Sequence, residues 1–111
     1  MHYDRLQLSD QSTSISFTYE NGDFVITFFQ DCRCVASGSA TGDLLCAAAR
    51  AAARALGIQE DFGFLPTETG GILRIGDSRQ EITGDNDKEL VMKIAAGILA
   101  HSQNSRQLVH S

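Results

Sequence analysis

The stretch Val35 to Gly57, VASGSATGDLLCAAARAAARALG, is where this chain comes nearest to a chemical motif. An apolar strand runs into a glycine-bearing loop, and the loop opens a helix. Three chemistries use such an arrangement. Phosphate binding places backbone N–H groups at a helix N-terminus, but the nucleotide-binding pattern also needs a lysine and a hydroxyl after its last glycine. Asp43 follows Gly42 instead, and its charge repels a phosphate. A nucleophile elbow needs serine at the centre of Gly-x-Ser-x-Gly, whereas the centre of Gly38-Ser39-Ala40-Thr41-Gly42 is Ala40. Zinc would need Cys32 and Cys34, on one face of a strand, to be completed by Cys46 and a histidine. Cys-x-Cys lacks the paired spacing of zinc knuckles, and free cysteines commonly behave as small buried apolar groups. His2, His101 and His110 all stand near the termini, where a positioned general base is hard to hold. Glu60-Asp61 and Asp85/Asp87 read as a solvated loop and a helix start. The sequence therefore names no catalytic residue, no metal site and no cofactor. Interest in the opening stretch moves to the surface of its alanine-rich helix.

The 111 residues suit one domain with one core, and 42% are hydrophobic, enough to fold unaided. The net charge of -5 argues against binding a phosphate backbone. No apolar run reaches membrane-spanning length, and MHYDRLQLSD has no signal-peptide core. The expectation is a cytoplasmic protein whose partner is another protein, with no nucleic acid and no membrane.

Tyr3 to Ser9 alternates as a short strand, and Ile15, Phe17 and Tyr19 alternate again. Asn21-Gly22 is a hairpin signal, because both central residues of a type I′ turn need positive φ. Phe24, Ile26 and Phe28 form one face of the next strand, which is expected to continue through a bend at Gln30-Asp31 into CRCVAS. The first helix is expected from about Gly42 to Leu56, capped by Thr41 or Asp43 and ended by Gly57. So much alanine lets another backbone come close, either the chain's own sheet or a second copy's helix. Gly57 to Gly71 reads as a long connection holding Phe62, Phe64, Leu65 and the lone proline, Pro66. ILRI and QEIT form a second hairpin around Gly76-Asp77-Ser78, and GDNDKELVMKIAAGILAHS a second helix capped by Asp85 or Asp87. The expected fold class is α+β: one five-stranded antiparallel sheet with two helices, in the order βββ-α-ββ-α. Residues 1–103 make the single domain, and residues 104–111 a flexible tail.

The segment LPTETGGILRIGDSRQEI resembles class I type III secretion chaperones, which carry Thr-Gly-Gly before an apolar strand just after their central helix. Here that is Thr69-Gly70-Gly71 and Ile72 to Ile75. The amphipathic last helix with its acidic start is similar too. The family's N-terminal helix has no counterpart here, and the asparagine-bearing end of its central helix is replaced by ARALGIQEDFGF. The resemblance implies a small cytosolic homodimer that binds an extended segment of a secreted protein. It implies a two-fold contact through the central helix, for which Ala48, Ala52 and Leu56 are the candidates. It also implies an apolar binding surface, for which Phe28, Phe29, Phe62, Phe64 and Leu65 are the candidates. The competing expectation is a small stoichiometric inhibitor, a toxin-immunity or phage anti-defence protein whose acids face a basic enzyme. An enzyme ranks last, for want of a nucleophile, a placed histidine and a metal motif.

Overall fold

The computed structural model describes residues 1–8 and 12–110, with side chains described as far as Gln103. The chain runs β1 (His2–Gln7), β2 (Thr13–Glu20), β3 (Asp23–Gln30), β4 (Arg33–Thr41), α1 (Leu44–Ala55), β5 (Phe62–Thr67), β6 (Gly70–Ile75), β7 (Ser78–Thr83) and α2 (Asp87–His110). Ser9 and Ser111 lie outside the described residues. The tail expected over residues 104–111 falls where no side chain is described, and the backbone of α2 continues to His110.

The class is α+β with two helices, but the single five-stranded sheet is wrong. Among the described residues there are two antiparallel sheets: a four-stranded meander β1-β2-β3-β4 and a three-stranded one, β5-β6-β7. The order is four strands, a helix, three strands, a helix. Two local readings cause the difference. The bend expected at Gln30-Asp31 is a complete reversal: Asp31 and Cys32 take φ of 50° and 71°, and Gln30 pairs with Arg33. This repeats the positive-φ pair of Asn21 and Gly22 at 53° and 81°, and it makes β4 a strand of its own. The long connection, too, contains β5, paired along its whole length with β6. Pro66 fits there because β5 is an edge strand, where a missing N–H costs no ladder bond.

The core is laid on the first sheet. Ile15 and Phe17 of β2 and Phe24, Ile26 and Phe28 of β3 point the same way and are fully buried. Tyr3, Phe17 and Phe24 continue as a ladder with centroids 5.2 and 5.3 Å apart. Ala36, Gly38 and Ala40 of β4 are the register partners of Phe28, Ile26 and Phe24, so they share that inner face. A large-residue strand thus gives way to a small-residue one, and α1 drops onto the small one. A Cβ added at Gly38 would lie 2.4 Å from the Ala51 carbonyl oxygen and 2.8 Å from the Ala55 nitrogen. The alanine surface of α1 is therefore spent on the chain's own sheet. α2 packs its apolar face, Leu90, Val91, Ile94, Ala95 and Ile98, into the same core, against β6, β7 and α1.

The helix caps refine two expectations. Asp43 precedes α1 without a side-chain bond to it, whereas Gly57 takes a φ of 69° past its end. At α2 the capping side chain is Asn86, not Asp85 or Asp87: its Oδ1 accepts from the Glu89 N–H at 2.9 Å, and the Glu89 carboxylate accepts from the Asp85 N–H at 3.3 Å. That reciprocal pattern is a capping box displaced by one residue.

The free side of β4 is closed by α1. Arg50 donates to the Thr41 carbonyl and Arg54 Nη1 to the Ser39 carbonyl, the latter at 2.9 Å. Carbonyls two residues apart on a strand share a side, and arginines four apart on a helix stand one above the other. The two repeats match closely enough for one helix turn to cover two carbonyls. An edge that would otherwise template another strand is thereby blunted along β4's C-terminal half.

Candidate protein-binding face

The structure disperses the residues chosen from the sequence. Phe28 is a core residue, 1% exposed. Phe29 lies on the opposite face of the first sheet, with the Arg5 guanidinium carbon 3.8 Å from its ring centroid, a cation–π contact. Phe62 is half-buried against the core. Phe64 is half-buried as well, its ring laid across Gly71, where an added Cβ would sit 2.2 Å from it. Leu65 alone among them is well exposed, at 63%. The proposed two-fold contact meets a physical obstacle: Ala48 and Ala52 are 1% and 0% exposed within one chain. A second copy could reach them only by opening the core, which leaves Leu56, half-buried, as the accessible member of the three.

Two cavities reunite some of these residues. One, of about 290 Å³, is walled by Phe28, Val35, Ala55, Leu56, Leu99 and Ser102, where the end of α1 and the middle of α2 meet β3 and β4. The other, of about 350 Å³, is lined by Gly63, Phe64, Leu65, Ile72, Arg74 and Arg79, on the face of the second sheet turned away from α2. The two-residue turn Gly76-Asp77 fixes the register beneath it, with Ile75 opposite Ser78 and Arg74 opposite Arg79. Leu73, Ile75 and Ile82 consequently point inward and are buried. Leu65 and Ile72, opposite one another, point outward with Arg74 and Arg79. The Arg74 guanidinium reaches over Gly63, where a Cβ would lie 3.6 Å from its Nη2. Sequence reasoning passed over both arginines. A two-residue turn in the second hairpin would have set them side by side.

Thr69-Gly70-Gly71, the segment that carries the family resemblance, has a packing role here. A Cβ at Gly70 would fall 2.0 Å from the Ile82 carbonyl oxygen and 2.9 Å from Leu90 Cδ2, so this glycine admits β7 and α2. Gly71 provides the seat of Phe64.

Among the described residues, groups able to do acid–base or metal chemistry are not gathered. Cys32 and Cys34 are exposed and Cys46 is half-buried, all as free thiols. Among the described residues no three His, Cys, Asp or Glu side chains stand close enough to share a metal ion. The one histidine–carboxylate contact described joins His101 Nε2 of α2 to Glu60 Oε2 of the α1–β5 connection. The hydrogen bond from His101 holds the Glu60 carboxyl below its ordinary range. A depressed carboxylate contributes stability that is present above its unfolded value and lost as pH falls through its folded one. Glu60→Gln is accordingly expected to flatten the acid limb of stability, as pH falls through and below the ordinary carboxylate range, read by urea denaturation at half-unit steps. An unchanged acid limb would show that the contact contributes nothing in solution.

The chain matches no protein-family model, no curated protein and no solved structure. Among the described residues no helix is long and apolar enough to cross a membrane.

Proposed function

We propose that the protein is a non-catalytic binding module that takes an extended segment of another protein on the outer face of β5, β6 and β7. One observation carries the reading: Leu65, 63% exposed, stands beside Ile72 over an open cavity of about 350 Å³. A leucine held outward on an edge strand, next to a second branched residue, is the kind of apolar anchor site that extended peptides use. The type III chaperone resemblance at Thr69-Gly70-Gly71 supports a secreted protein as the source of the segment. In this reading the binding face needs no second copy.

The test is capture of the partner by the immobilised protein and by a Leu65→Ser, Ile72→Ser variant. Leu65 is exposed and Ile72 half-buried on the central strand, so the variant is expected to lose about 1–2 kcal/mol, and a circular-dichroism melt checks that it is still folded before capture is compared. A partner held by the parent, lost from the variant and bound through a protease-sensitive unfolded stretch is the expected result. A folded basic enzyme retained equally by both proteins would replace this reading with the stoichiometric inhibitor.

A further inference from the structure

Resting on the reading of this face as the binding face, we infer that its occupant is a peptide segment carrying an acidic residue two positions from an apolar one. The carboxylate sits on Arg74 and Arg79, and the apolar side chain sits on Leu65 and Ile72.

The register lays the outward residues in rows across the sheet. Gly63, Arg74 and Arg79 form one row, and Leu65, Ile72 and Glu81 the next. The rows are one two-residue strand step apart, roughly 6.6–6.8 Å. An extended peptide lying along the strands has the same repeat, so its residues i and i+2 meet successive rows. Apolar-x-acidic is the pattern that satisfies both.

Electrostatics makes the arginine row selective. Like charges directly opposite one another on a sheet are destabilising, and Arg74 faces Arg79. Neither guanidinium belongs to a salt bridge among the described residues, where the pairs are Lys93 with Glu89 and His101 with Glu60. This exposed pair of like charges persists in a chain whose net charge is -5. Other basic groups are engaged within the fold, Arg50 and Arg54 on carbonyls of β4 and Lys93 on the Thr83 carbonyl. A carboxylate bound between the two arginines would remove their repulsion and gain charge-assisted hydrogen bonds. Gly63 leaves the third place of the row without a side chain, and the Arg74 guanidinium lies over it, 3.6 Å from where a Cβ would be, so the outer edge of the guanidinium is left to meet that carboxylate. Glu81, in the other row, repels an acid placed there and so fixes which of the two positions is acidic.

The experiment is a titration of the ¹⁵N-labelled full chain, followed by amide shifts, with the acetylated and amidated peptide Ser-Ser-Leu-Ser-Glu-Ser-Ser and its Glu-to-Gln counterpart. Shifts confined to residues 63–65 and 72–79, with the Gln peptide at least about tenfold weaker, are expected. The Arg74→Gln, Arg79→Gln variant should bind both peptides equally. Equal binding of the two peptides by the parent, abolished by Leu65→Ser, would overturn the acidic preference and leave the binding face standing. Absence of shifts at this face with either peptide would overturn both. Concentration-dependent shifts at the same residues without peptide would give the face to a second copy, and that result too overturns the inference.

Discussion

Gly38→Ala is expected to destabilise the protein by about 3 kcal/mol, the upper part of the range for overpacked cores. The added methyl would lie 2.4 Å from the Ala51 carbonyl oxygen and 2.8 Å from the Ala55 nitrogen. Both are helix backbone, so no side chain can turn aside. To restore ordinary contact α1 must lift from β4 by about 1 Å, which loosens the alanine contacts along the same seam. The lift would also stretch the bonds of Arg50 and Arg54 to the Thr41 and Ser39 carbonyls. The sign of the change is decisive. Were Gly38 an ordinary strand glycine, alanine would stabilise by roughly 0.5–1 kcal/mol through the lost freedom of the unfolded chain. Urea denaturation of Gly38→Ala beside Ser37→Ala, an exposed neighbour on the other face, reads this directly. A stabilised Gly38→Ala would mean that the alanine surface of α1 is not seated on β4, and would return it to a second copy.

That surface shows how far the sequence could be read and where reading stopped. The alanines of α1 stated that some backbone comes close, without stating whose. The answer was written in Ala36, Gly38 and Ala40, a strand with small residues on one face. It becomes visible only once Asp31-Cys32 is taken as a turn. Aspartate is at home there, but cysteine seldom adopts positive φ, and nothing local flagged a reversal. β5 was hidden for a similar reason. Gly63 and Pro66 punctuate it like a loop, while its pairing with β6 is a tertiary fact that an edge strand need not advertise. The Asn21-Gly22 hairpin, both helices and the existence of the second hairpin were legible because each rests on local chemistry, although the turn of that second hairpin was read one residue too long, Ser78 belonging to β7. The binding face was half legible. Leu65 was chosen for its apolar side chain, but Arg74 and Arg79 gain meaning only when the register sets them opposite each other. Phe28 was chosen on the same ground as Leu65 and is core, because hydrophobicity without register does not tell one face of a strand from the other.

Gly70 and Gly71 are neighbours in one strand, and replacing each by alanine is expected to give different results. Gly70→Ala puts a methyl 2.0 Å from the Ile82 carbonyl oxygen and 2.9 Å from Leu90 Cδ2. The first contact is backbone of the adjacent strand, so β7 must part from β6, and the cost is expected at about 3 kcal/mol or more. Gly71→Ala meets the Phe64 ring first, at 2.2 to 2.8 Å. That ring belongs to a half-buried side chain at the sheet edge and can swing away, so about 1–2 kcal/mol is expected. A double-mutant cycle separates the two mechanisms. Phe64→Leu should recover much of the Gly71→Ala loss, because the clash and its partner disappear together, giving a coupling of about 1 kcal/mol. Phe64→Leu should leave the Gly70→Ala loss unchanged. Phe64 is opposite Leu73 and packs on the core side of the sheet, so Gly71→Ala, the milder change for the fold, should loosen the packing under β5 while the outward Leu65 and Ile72 keep their places and the domain stays folded. Comparable losses in the two variants, both relieved by Phe64→Leu, would place the strain of Gly70 in the ring as well and remove the distinction between a glycine that admits a strand and one that seats a side chain.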